Sequence, residues 1–268
     1  MKKKGQVIQY FQKANVAIKI LFISLLVSTP SFAKNLKKNV IVKIAEASGI
    51  CYSSRSNTLF VANDEGKVFE ISKKGDILRE KKLGKYDLEG LACDNENATL
   101  LFAVEGDDAI LIVNQKNLKI EKQIAIKRKF QGKKILKKDK EHGLEAITIV
   151  KNAIFLSNQS YNRYPKEDAS VIFQINTLKK KRAKIVKVID HGYVDVAAMT
   201  YHKDNLYMIS DKKNLLVIYD INAMQTLQEI KLKKFAQEGL CFDNENMLYI
   251  ADDEGRVLKF HPSEIGIK

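Results

Sequence analysis

Apolar residues along this chain come in short alternating runs, each closed by a cluster of Asp, Asn, Gly, Ser or Lys. That is the pattern of strands and tight turns, and helix-period runs are nearly absent. One stretch shows the pattern in full. Residues 235–260 read FAQEGLCFDNENMLYIADDEGRVLKF: a Glu-Gly opening, an apolar strand, a polar turn at 243–246, a second strand, an acidic turn at 252–255 and a third strand. The same order is written near the start, at 47–71, as ASGICYSSRSNTLFVANDEGKVFEI.

Aligning the chain on these openings gives Ser48-Gly49-Ile50, Glu89-Gly90-Leu91, Glu145-Ala146-Ile147, Ala197-Ala198-Met199 and Glu238-Gly239-Leu240, separated by 41, 56, 52 and 41 residues. Each is followed by a second strand, at 59–62, 100–104, 154–157, 206–210 and 248–251, and by a third, at 68–71, 110–113, 171–175, 216–221 and 257–260. A fourth, outer strand is expected at 77–82, 119–126, 184–189 and 226–232. Four strands recurring every 40 to 55 residues or so predict an all-β fold, a five-bladed β-propeller with four-stranded blades. The last repeat runs out after Phe260, so residues 40–44 are expected to supply its outer strand and close the ring, removing an exposed sheet edge. The longer spacings come from insertions at 127–142 and 158–169.

The segment before the repeats has a different grammar. Lys2, Lys3, Lys4, Lys13 and Lys19 precede an apolar run at 20–27, and Ser31-Phe32-Ala33 places small residues where a signal peptidase reads. Residues 1–33 are therefore expected to be a secretory signal or, if uncleaved, a membrane anchor, with residues 34–268 as one propeller domain. The folded part is placed outside the cytoplasm, in the periplasm or on the outer side of the cytoplasmic membrane. Removing the five leader lysines leaves 41 basic against 32 acidic side chains, a net +9. That charge favours anionic surfaces. The basic insertion carrying Lys127, Arg128, Lys129, Lys133, Lys134, Lys137, Lys138 and Lys140 is the candidate contact with an anionic membrane, the alternative being a solvated loop. Nucleic acid is not an expected partner, because aromatic residues rarely interleave the cations. Cys51, Cys93 and Cys241 all follow repeat openings, where cysteine acts as a small buried apolar residue. Equivalent positions in neighbouring blades are expected to be too far apart for a disulfide.

Candidate chemistry gathers at the openings. Glu89, Glu145 and Glu238 stand there, with Asp195 two residues before Ala197 and Ser48 in the first repeat. The innermost strand of a blade starts on the face to which the second strand returns. The ends of the second strands, taken as Asn63, Glu105, Asn158, Asp211 and Asp252, should therefore share that face with Ser48 as ligand-facing residues. Converging carboxylates raise one another's pKa unless a cation sits among them. An oxygen-only donor set suits Ca²⁺, with Glu89, Glu145, Glu238 and Asp195 as metal ligands. The alternative is that each Glu accepts hydrogen bonds from backbone N–H groups of the next blade.

DLEGLACD at 87–94, GLEAITIV at 143–150 and QEGLCFD at 237–243, with ASGICY at 47–52 and LYIADDEGRVLKF at 248–260, resemble the SdiA-regulated (YjiK-like) domain family, over residues 40–262 or so. The resemblance implies a five-bladed propeller distantly related to NHL repeats, with bound calcium, behind a membrane-targeting segment. No defined activity comes with it. The chain departs from the pattern at Ala197-Ala198-Met199. Of catalytic signatures, no G-x-S-x-G elbow or H-E-x-x-H occurs, and His142, His191, His202 and His261 are read as surface or turn residues. The resulting expectation is an exported calcium-binding module for a small molecule or an envelope protein, acting as a monomer. The alternative is a calcium-dependent hydrolase of small esters, lactones or phosphoesters, with His142 or His191 beside the carboxylates.

Overall fold

Each predicted repeat folds as a four-stranded antiparallel unit. The computed structural model describes residues 36–137, 143–234 and 236–268, so the lysine-rich leader, Lys138, Lys140, His142 and Phe235 lie outside the described residues. After β1 (Val40–Lys43), the first blade is β2 (Ala47–Ser53), β3 (Thr58–Asn63), β4 (Lys67–Ile71) and β5 (Ile77–Lys82). The second is β6 (Leu88–Asp94), β7 (Thr99–Val104), β8 (Ala109–Asn114) and β9 (Ile120–Lys127). A small hairpin, β10 (Lys129–Phe130) and β11 (Lys133–Lys134), precedes the third blade, β12 (Leu144–Val150), β13 (Ala153–Asn158), β14 (Ile172–Ile175) and β15 (Arg182–Ile189). The fourth is β16 (Val196–His202), β17 (Asn205–Ser210), β18 (Leu215–Asp220) and β19 (Gln225–Lys231), and the fifth is β20 (Gln237–Phe242), β21 (Leu248–Asp252) and β22 (Arg256–Phe260). β1 pairs with β22, with Val40 opposite Leu258 and Lys43 opposite Arg256, and so completes the last blade from the other end of the chain. Among the described residues no helix is long and apolar enough to cross a membrane.

The inner strands stand side by side in a ring, β2 beside β6, β6 beside β12, β12 beside β16, β16 beside β20 and β20 beside β2. This makes the fold a β-propeller. Because each blade is pressed between two others, its second strand is apolar on both faces: β3 (TLFVAN) and β7 (TLLFAV) are buried throughout. Outer strands such as β5 alternate exposed and half-buried positions. The side chains between blades form five clusters, one per interface. The closing cluster packs Ile50, Leu59, Val61 and Phe69 of the first blade on Cys241, Tyr249 and Val257 of the last.

At three of the five openings, those with glycine, the axis leaves no room for a side chain, while the other two carry Ala146 and Ala198. A Cβ on Gly49 would lie 2.3 Å from the Glu89 carbonyl oxygen, one on Gly90 2.5 Å from the Glu145 carbonyl oxygen, and one on Gly239 2.9 Å from the Ile50 nitrogen. The same closeness corrects the expectation about the cysteines. Cys51 and Cys93, in adjacent inner strands, have Cα atoms 5.6 Å apart and form a disulfide, while Cys241 is a buried free thiol. Blade-to-blade spacing near the axis is that of neighbouring strands, within disulfide reach.

Two further departures concern the third repeat. β15 pairs in parallel with β9, fusing blades 2 and 3 into one eight-stranded sheet. The basic insertion is no free loop where it is described, since Ile135 and Leu136 are buried in the core between those blades.

Gly90→Ala should destabilise the fold by about 1–3 kcal/mol through overpacking, whereas Gly143→Ala, whose Cβ would meet its nearest atoms at 3.4 Å, should cost much less. Denaturant titration of the two variants compares them directly. Cys93→Ala should cost up to about 4 kcal/mol for a loop closed over 42 residues, and unreduced wild-type protein should titrate with one thiol after unfolding.

Candidate metal centre

The openings are irregular in every blade. Pairing between first and second strands shifts between Ala47 and Ile50, Leu88 and Leu91, Leu144 and Ile147, Val196 and Ala198, and Gln237 and Gly239. Each shift is a bulge spanning the opening residue, and bulges re-aim the side chains they carry. Glu89, Glu145 and Glu238 thus leave the blade sheets at the same point. One backbone hydrogen bond repeats five times beside them: the N–H groups of Asp64, Glu105, Gln159, Asp211 and Asp253 donate to the carbonyls of Glu46, Asp87, Gly143, Asp195 and Ala236. It ties the end of each second strand to the residue two before the opening. Acidic side chains at both positions are thereby brought to the same face as the three glutamates.

The carboxylates are close enough to share a cation. Oxygens of Asp64, Asp87 and Glu89 all lie within 4.8 Å of one another. Burial first, then the charges of Asp64, Glu238, Glu105 and Asp87, push Glu89 well above the usual carboxylate range. Glu145, only 4% exposed, is pushed up likewise by burial and by Glu89, Glu238, Glu105 and Asp195. It has no hydrogen bond or ion pair among the described residues. Burial, with Asp211, Asp253, Asp195 and Asp64, pushes Glu238 up to about 8. Asp64 is pushed up to about 7 by burial and by Asp253 and Asp87, and its Oδ1 is buried with no hydrogen-bond partner among the described residues. The donors are all oxygen, which fits a hard divalent cation. Below this mouth the axis narrows to a gap of about 10 Å³ between Gly49, Gly90, Ala146, Ala198 and Gly239. Beyond the gap lies a cavity of about 210 Å³ walled by Tyr52, Cys93, Thr148, Tyr201 and Phe242.

A family model described as SdiA-regulated matches residues 25–260. The chain belongs to the SdiA-regulated family. Among solved structures, this SdiA-regulated propeller is similar to Myxococcus xanthus glutaminyl cyclase, with a TM-score of 0.62 at 10% identity over 82% of this chain and 92% of that one. A second similar structure is the β-propeller domain of Myceliophteria thermophila Cps50 (Swd1), at 9% identity and a TM-score of 0.49, over 83% of this chain and 99% of that one. No curated protein sequence matches the chain. At 10% identity the likeness to the glutaminyl cyclase shows the fold alone.

In this SdiA-regulated chain the face draws together Glu89, Glu145, Glu238, Asp195, Glu105 and Asp211, whose charges act on one another. Ser48 is buried, donates to the Leu88 carbonyl and also stands beside the Asp64 carboxyl, so it borders this face. The other predicted residues serve the blades. Asn63 accepts from the Lys67 N–H at 2.9 Å and donates to the Ala45 carbonyl. Asn158 accepts from the Val171 N–H. Asp252 accepts from the Glu254 N–H and from Arg256 Nε at 2.6 Å. The repeated backbone bond shows why: Asn63, Asn158 and Asp252 lie one residue before the true equivalents of Glu105 and Asp211. Those equivalents are Asp64, Gln159 and Asp253. Asp87 was also missed, although D-L-E at 87–89 places it on the same side of the strand as Glu89. Tyr161, from the insertion at 158–169, adds an exposed ring whose hydroxyl feels Asp195, Asp211, Glu145 and Glu238. His191 stands in the connection between β15 and β16, as a turn reading expects, but it is buried rather than on the surface. Its Nδ1 accepts from the Tyr193 N–H, its charged neighbour is Asp190, and desolvation lowers it to about 4.

A carboxyl with a raised folded pKa holds its proton more tightly folded than unfolded. Its contribution is therefore present below the unfolded value and lost as pH rises through the folded one. For Asp64 and Glu238 the window runs from their ordinary values of 3.8 and 4.5 up to about 7 and about 8. In chelator, the melting temperature should fall as pH rises across this window, and Glu238→Gln should flatten the decline; melting curves at a series of pH values measure both.

Proposed function

We propose that this propeller is an exported module that holds a calcium ion at the acidic mouth of its axis and binds a small ligand or a partner protein on the face above it. The observation that carries the reading is Glu145, a buried residue whose carboxylate has no hydrogen bond among the described residues and feels the charges of Glu89, Glu238, Glu105 and Asp195. Such a set is costly to ionise unless a cation compensates it. Asp64, Asp87 and Glu89 would hold the ion, with Glu145, Glu238 and Asp195 contributing oxygen or charge behind them. Bound there, calcium would supply positive charge that keeps these groups ionised at neutral pH. The Cys51–Cys93 disulfide supports a site of action in an oxidising compartment such as the periplasm or the outer side of the membrane. The hydrolase alternative calls on His142, His191 or a carboxylate as base. His142 lies outside the described residues and His191 Nδ1 accepts from the Tyr193 N–H, so no observation singles out a base and the reading adopted is binding.

Metal analysis of the purified protein should find one equivalent of calcium. At a hundredfold excess of calcium over its dissociation constant the fold should gain about 2.7 kcal/mol relative to chelator. Glu89→Gln/Glu238→Gln and Asp64→Asn should lose most of that gain while melting cooperatively in chelator. A protein that binds no metal and melts identically with and without calcium would make the glutamates part of the packing between blades.

A further inference from the structure

Two basic runs far apart in the sequence, at 127–134 and 179–187, meet on the outer rim of blades 2 and 3 because β9 and β15 pair in parallel. The register sets Ala125 against Arg182, Ile126 against Ala183 and Lys127 against Lys184. Ile126 and Ala183 are buried, so Lys127, Arg182 and Lys184 share the outward face, where all three are exposed. Two lysines directly opposite each other on neighbouring strands repel. No ion pair to Lys127, Arg182 or Lys184 is formed by the described residues, whereas Arg128 is engaged by the buried Asp108. The adjoining hairpin sets Lys129 opposite Lys134. Between strands and hairpin lies an open groove of about 430 Å³, walled by Lys127, Arg128, Lys129 and Arg182 with Asp107 as its one acid. Val186, 45% exposed, continues the outward face two residues beyond Lys184.

A sheet rim on which Lys127, Lys129, Arg182 and Lys184 gather, with Asp107 as the one acid of the groove among the described residues, is stabilised by an external anion. The cations spread along a strand pair and a hairpin rather than converging in a pocket, and an exposed valine stands beside them. A single small anion would meet few of these groups, whereas a bilayer surface with phosphate headgroups meets them together and accepts the apolar side chain. We infer that the β9–β15 rim is a docking surface for anionic phospholipid bilayers. The assignment is independent of the calcium reading, since none of these cations belongs to the axial face.

The test is sedimentation of the full chain with vesicles of phosphatidylcholine alone and of phosphatidylcholine with about one-third phosphatidylglycerol, read as the ratio of the two affinities and compared between variants that all carry the same lysine-bearing leader. A cation near an anionic leaflet contributes roughly fivefold in affinity. Lys127→Gln/Arg182→Gln/Lys184→Gln should therefore lower the ratio by about 100-fold at full engagement, and by no less than about tenfold. Lys43→Gln/Lys82→Gln/Lys203→Gln, which removes the same charge from exposed positions elsewhere, should change it by less than about threefold. Thermal melting should show the rim variant at least as stable as wild type, because its opposed lysines are gone. Equal losses in the two triple variants, an unchanged ratio in the rim variant, or binding of soluble polyphosphate without binding of vesicles would each overturn the assignment.

Discussion

Everything in this molecule depends on how closely five inner strands approach one another around the axis. At Gly49, Gly90 and Gly239 the neighbouring backbone stands where a side chain would be, and the first strand of every blade bulges at its opening. The bulge turns the adjacent side chain away from the sheet, and in three blades that side chain is glutamate. Close packing at the axis and concentration of negative charge at its mouth therefore share one cause. The strands cannot come together without carrying the carboxylates with them.

That arrangement is strained in an electrostatic rather than a steric sense. Desolvation and mutual repulsion act in the same direction on Glu89, Glu145, Glu238 and Asp64. The surrounding backbone offers limited relief: the repeating N–H donors of the second turns are already spent on carbonyls. A ring that needed only hydrogen-bonded glutamates to join its blades would direct those donors at carboxylate oxygens.

Much of this was readable from residues alone, for physical reasons that differ from element to element. The propeller and its closure by β1 followed from strand spacing, because each blade needs its own four-strand length of chain. The three glutamates followed from their fixed place before an apolar pair. The second-turn residues were read one position early in three blades. Asn63 and Asp252 are polar and end a strand, but they spend that polarity on their own turns, and only the backbone hydrogen bond reveals Asp64 and Asp253 as the outward pair. The Cys51–Cys93 link and the rim where Lys127 faces Lys184 depend on distances between blades, which no local pattern encodes. The apolar character of Ile135 and Leu136 was the available signal that the basic insertion is anchored in the core.

The blades are not equally bound to one another. The fifth is held to the first by β1, a strand of one carried on the chain of the other; the first is held to the second by a covalent bond, and the second to the third by a shared sheet. Among the described residues the fourth has no comparable tie on either side and relies on side-chain packing and its chain connections. It is also the blade whose opening carries Ala197 in place of glutamate. The ring is thus a clasp of four linked members with one set between its ends, and the member without such fastenings reaches the acidic mouth through an aspartate, Asp195, from just outside its inner strand, as the second blade also does with Asp87.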